Sequence, residues 1–156
     1  MNGTTPFQRS IAIEVRDTCL CFAAQRAARE LARRFDRALA QLGITNGQFS
    51  MLTAIGGMGG PKLGEIARFM GMDHATVTAA VRKLEKRGLA VVTADGADRR
   101  SRRVSLTEEG VVVTERATLV WRLEHMKMAL EHGEEDVARL RSELLQFGPP
   151  LGRAAA

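Results

Sequence analysis

With 156 residues, 45% of them hydrophobic and 26% charged, the chain has the length of one domain with its own core and is too short for a two-domain enzyme. Aromatics are 4%, with no Tyr and one Trp (Trp121), which excludes stacking platforms for single-stranded nucleic acid. No apolar run approaches the ~20 residues of a membrane span, MNGTTPFQRS lacks the apolar core of a signal peptide, and Cys19 and Cys21 make no disulfide framework, so a cytoplasmic protein is expected.

Residues 1–9 read as a flexible arm. From Ser10 to Leu42 the pattern is helical, with Leu20, Ala24, Ala27, Leu31, Phe35 and Ala38 recurring at spacings of three and four and Arg29, Arg33, Arg34 and Arg37 between them. Gly43 stops this helix and Thr45 caps the next, expected from Asn46 to Gly56 with Phe49, Leu52 and Ile55 inward. Gly56 to Pro61 reads as a loop. It matches neither the Walker pattern nor GxGxxG and follows a helix, so it is not a phosphate loop. A short helix, Leu63 to Met70, turns at Gly71-Met72 into a second, His74 to Arg87, capped by Asp73 and ended by Gly88. Val77, Ala80, Val81 and Leu84 form its buried stripe, while His74, Thr76, Thr78, Arg82 and Lys83 fall on or beside the other face. This is a helix-turn-helix in outline.

Leu89 to Thr93 and Arg102 to Leu106 read as strands of a hairpin turned at Asp95-Gly96, with Asp98, Arg99, Arg100, Arg102 and Arg103 on its tip and return strand. Thr107 caps a long helix running to about Leu130 through Val111, Val112, Leu119, Leu123 and Met126. A last helix, Glu134 to Phe147, is expected to bury Val137, Leu140 and Leu144, and residues 148–156 form a tail.

The net charge of +5 resides in one stretch. Lys62 to Arg103 carries ten basic and five acidic residues, and the rest of the chain thirteen of each. That is the footprint of a phosphate-binding surface on a neutral body, although a solvated basic face has the same composition.

The arrangement resembles the MarR family of transcription regulators, over about Cys19 to Phe147. The most specific part is Asp98-Arg99-Arg100-Ser101-Arg102-Arg103-Val104-Ser105-Leu106-Thr107, which fits the family's D-x-R…L-T wing. Asp73-His74-Ala75-Thr76-Val77-Thr78 and Arg82-Lys83-Leu84-Glu85-Lys86-Arg87-Gly88-Leu89 add to it. The resemblance implies a mainly α fold with a small β-wing: a winged helix-turn-helix DNA-binding region at 44–106, and a helical dimerisation region at 10–42 and 107–147. It also implies a homodimer on a near-palindromic operator of double-stranded DNA, often released by a small-molecule effector.

In that frame the helix after Asp73 enters the major groove. His74, Thr76 and Thr78 reach base edges or phosphates, and Arg82 and Lys83 reach phosphates or guanine. Arg100 probes the minor groove, Asp98 orients it, and Arg99, Arg102 and Arg103 meet phosphates. Thr76 and Thr78 also suit local capping. A dimer answers a physical need as well, since a small winged helix makes few base contacts and the apolar stripes exceed what one small head covers.

Cys21 falls where the peroxide-sensing branch of the family keeps a reactive cysteine. That branch pairs it with tyrosines, whose positions here hold Phe35 and Asn46. An inert, buried thiol is the competing expectation. A ligand cavity near Phe22, Arg26, Phe49, Met51 and Trp121 stands against ordinary packing. The histidines show no ligand spacing, so no metal or cofactor is expected, and no nucleophile constellation suggests an enzyme. A winged helix used for protein–protein contact is the remaining alternative, which the basic wing disfavours.

Overall fold

The computed structural model describes residues 5–96 and 101–148. The chain begins as two consecutive helices rather than one. Helix α1 spans Pro6–Thr18 and α2 spans Leu20–Leu39, separated by Cys19 in an extended conformation. The arm expected at 1–9 is therefore helical from Pro6 onward. The Thr5 hydroxyl accepts from Gln8 N while the Gln8 side chain accepts from Thr5 N, and Pro6 occupies the first turn, where its missing N–H has no helical partner to lose. Cys19 caps α2 as Ser would, its Sγ accepting from Phe22 N.

A 3-10 turn, Ala40–Leu42, ends at Gly43, whose φ of 67° is the left-handed conformation glycine adopts without strain. Helix α3 spans Asn46–Met58 behind a Thr45/Gln48 capping box. It runs two residues past the expected end because Gly56 and Gly57 remain helical. At Gly56 the lack of a side chain lets Leu106 approach, since a Cβ there would lie 3.1 Å from its Cδ1. Helices α4 (Leu63–Met70) and α5 (His74–Lys86) meet at Gly71 and Met72, where Met72 N donates to Ala67 O.

Strands β1 (Ala90–Ala94) and β2 (Arg102–Leu106) pair antiparallel, with Val92 opposite Val104. Helix α6 spans Glu108–His132 and α7 spans Glu134–Leu145. Thr107 joins α6 to the hairpin: its hydroxyl donates to Gly88 O and accepts from Gly110 N, and its N–H donates to Leu89 O.

The core lies in the middle of the chain. Leu39, Leu52, Ile55, Ile66, Val77, Val81, Leu84 and Val104 are fully buried, and Ala117 is the α6 residue that joins them. Of the expected stripe of α2 Phe35 is buried, Leu20 and Leu31 are exposed, and Leu39, which the stripe did not include, enters the core. Helix α7 buries nothing, so Leu140 and Leu144, expected inside, lie in solvent in the single chain, as do Val111, Val112, Leu119, Leu123 and Met126 of α6. Apolar periodicity marks faces to be covered, and here the chain itself does not cover them.

Among the described residues no helix is long and apolar enough to cross a membrane.

Candidate nucleic-acid interface

Three local devices present the surface. Asp73 starts α5, accepting from Thr76 N at 2.8 Å and from the Thr76 hydroxyl. Those two bonds hold its carboxyl below the usual range, so it is ionised at the positive end of the helix. Val77, Val81 and Leu84 bury one side of α5 completely, which forces His74, Thr76, Arg82 and Lys83 outward into solvent. Thr78 is half-buried, and its hydroxyl donates to His74 O at 2.7 Å. Both threonine protons are thus used locally, as the capping alternative anticipated.

The hairpin stands beside α5. Its base is tied to the segment before α4: Val104 N donates to Pro61 O at 2.9 Å, and Lys62 bridges Arg103 in antiparallel fashion. An open cleft of about 550 Å³ lies between them, lined by Lys62, Arg68, His74, Ser101 and Arg102. Glu65 lines it too and Lys62 is paired with Asp95, so the cations left to favour an anionic backbone there are Arg68, Arg102 and, when protonated, His74.

The structure brings His74 and Arg102 together with Lys62 and Arg68 at the cleft, whereas Thr76, Thr78, Arg82 and Lys83 lie elsewhere along α5, outside its lining. Arg103, expected on phosphate, is engaged elsewhere: Nη1 donates to Gly60 O at 2.8 Å and Nε lies 3.4 Å from the Asp95 carboxylate. Asp98, Arg99 and Arg100 lie outside the described residues.

The five residues considered for a ligand are not gathered around one cavity. Phe49 and Met51 are core side chains, whereas Phe22, Arg26 and Trp121 are exposed. Cys21 is exposed in the single chain rather than buried, with Gln25 Nε2 donating to its sulfur at 3.1 Å. Among the described residues no group of His, Cys, Asp and Glu could hold a metal ion.

Two charged clusters escaped the sequence reading. Arg34, read as one of four arginines between the apolar positions of its helix, reaches from α2 to α6, donating to Glu131 at 2.6 and 2.9 Å and lying 3.2 Å from Glu124. Glu124 is buried and also accepts from Lys127 at 2.6 Å; Lys127 first, then Arg34, hold its carboxyl below the usual range against the opposing effect of burial. No spacing signal could have paired positions ninety residues apart. Asp95, read only as a turn residue, is also buried. An acidic residue inside a basic hairpin was its one visible signal.

A helix-turn-helix, an adjoining two-stranded wing and a cationic cleft between them define a winged-helix DNA-binding protein. Residues 42–101 match the model of the MarR family. The structure is similar to the Mycobacterium tuberculosis regulator MosR in complex with DNA, with a TM-score of 0.69 and 33% identity over 81% of this chain and 96% of that one. It is also similar to the transcriptional repressor CouR bound to a 23-mer duplex, with a TM-score of 0.77 and 29% identity over 85% and 94%. The organic hydroperoxide resistance regulator of Bacillus subtilis is 28% identical over 98 residues, 63% of this chain and 67% of that protein. Against the curated relatives the match spans about half to two thirds of their length. The chain belongs to the MarR family and is a DNA-binding transcriptional regulator, not an enzyme.

Proposed function

We propose that the chain acts as a homodimeric repressor that binds a near-palindromic operator through α5 and the wing and leaves it when a small molecule binds. The observation that carries this reading is the separation of two surfaces. Cationic side chains gather at the cleft between α4, the start of α5 and the hairpin, while exposed apolar side chains concentrate on α1, α6 and α7, with Phe7, Ile11, Leu119, Met126, Leu130 and Leu140 among them. Two-fold pairing through the apolar surface would carry two reading heads to half-sites about 34–36 Å apart. His74, Thr76, Thr78, Arg82 and Lys83 then address the major groove, Arg99 and Arg102 the phosphates, and Arg100, oriented by Asp98, the minor groove.

Fluorescence anisotropy with the promoter fragment adjoining its own coding sequence tests this. The affinity should fall with salt at a logarithmic slope of about −0.9 per phosphate neutralised, and Arg100→Ala should weaken operator binding while leaving the dimer intact by sedimentation. Absence of binding at low salt, or a monomer in sedimentation, overturns the reading and favours a winged helix used for protein contact.

A second reading is favoured by the accessibility of Cys21, through which oxidation rather than a ligand would release DNA. Against it, Phe35, at the position of one of the branch's tyrosines, is buried, tilts against His125, and cannot donate to sulfur. Peroxide that lowers operator affinity in the wild type but not in Cys21→Ser would establish it.

A further inference from the structure

We propose that Asp95 is a positioning residue for DNA recognition: a buried carboxylate that locks the base of the wing and keeps two cations of the region from phosphate. The inference rests on the DNA-binding reading and adds a residue that determines specificity. Asp95 follows β1, and its N–H donates to Ser101 O at 3.0 Å, closing the ladder one step beyond the strands. Its side chain is 6% exposed, with Lys62 Nζ at 2.8 Å from Oδ2 and Arg103 Nε at 3.4 Å from Oδ1. The two cations come from different places. Lys62 precedes α4, whereas Arg103 lies in β2 and also donates to Gly60 O. One carboxylate therefore ties β1, β2 and the segment 60–62 at a single point.

Segment 97–100 leaves from and returns to this point by chain connectivity, so whatever fixes the point fixes where that segment departs. A carboxylate this buried is tolerated only when its charge is matched, and each cation in turn is drawn away from other anions. Lys62 also lines the cleft beside α5. Without Asp95 its ammonium would become available to a DNA phosphate, with Glu65, which lines the same cleft, as the competing anion. Backbone attraction carries no sequence information, whereas a displaced wing loses contacts that do.

Asp95→Asn separates the two effects. Affinity for the operator and for a scrambled duplex is measured between low and moderate salt, beside a melting curve. The operator-to-scrambled ratio should fall by about tenfold, the worth of one base contact, and the scrambled-duplex salt slope should steepen by about 0.9 per released cation, up to about 1.8. Adding Lys62→Met should return about one such increment of slope without restoring the ratio. If Asp95→Asn does not fold, Asp95→Glu, which keeps the charge but misplaces it, should lower the ratio with the slope unchanged. A folded Asp95→Asn with wild-type ratio and slope, or a loss shared equally by both duplexes at constant slope, overturns the proposal. A wild-type protein that binds neither duplex would instead refute the DNA-binding reading.

Discussion

Replacing Gly110 by Ala probes the joint between the reading head and the long helix α6. Gly110 is buried in the first turn of α6, and a Cβ there would stand 1.9 Å from Leu89 O and 2.9 Å from its carbonyl carbon. Ordinary contact begins near 3.4 Å, so backbone, rather than the end of a flexible side chain, would have to retreat by about 1.5 Å. Overpacking of that kind costs about 1–3 kcal/mol. The retreat also disturbs the bonds from Thr107 N to Leu89 O and from the Thr107 hydroxyl to Gly88 O, each worth about 1 kcal/mol. Alanine's better helix propensity offsets only about 0.5–1 kcal/mol. The net loss is about 2–4 kcal/mol, or a melting temperature lower by about 5–15 °C for a chain of this size. Gly57→Ala is the control: Gly57 is also helical, nothing lies within 4 Å of its would-be Cβ, and the same substitution should stabilise by about 0.5–1 kcal/mol. Scanning calorimetry at one fixed protomer concentration compares the three proteins. A Gly110→Ala variant that melts at or above wild type would refute the account of the joint.

Arg34→Met should lower the melting temperature more than Arg33→Met, because Arg34 joins α2 to buried Glu124 and to Glu131, while among the described residues Arg33 pairs with exposed Glu30 on its own helix; equal effects in thermal melts would count against an α2–α6 clasp. Stability should also decline as pH falls from 7.5 to 5.5. Burial, followed by the nearby Arg141, lowers the His125 pKa from its ordinary 6.5, so the unfolded chain takes up the proton first and stability is lost as pH drops through 6.5 toward the folded value. Urea titrations at the two pH values measure this, and His125→Phe should show a smaller difference; an unchanged difference would remove the assignment.

The reading head was legible because its signals are local. Gly71, Asp73 and Gly88 punctuate the chain within a few residues of what they terminate, and the stripe of Val77, Val81 and Leu84 needs only helical periodicity to be seen. The break between α1 and α2 was not legible, since Cys19 caps a helix without being one of the usual capping residues. Arg34 and Asp95 were misread for a related reason. A charged side chain declares itself as surface until its partner is known, and the partners lie in other elements. Leu140 and Leu144 were recognised as apolar and expected inside the chain, which leaves them exposed. Hydropathy specifies that a face leaves water, while the identity of the covering surface, same chain or another, is a tertiary fact.

Helices α1 and α7 retain no fully hidden side chain when the protomer stands alone. In the proposed dimer, covering these two helices and pairing the two copies would be one event. If two copies associate as proposed, then below the association midpoint assembled protein would grow with the square of the amount synthesised, and doubling expression would raise promoter occupancy roughly fourfold. Bare ends on a small polypeptide would thus make the dose response of such a dimer steeper than that of a monomer.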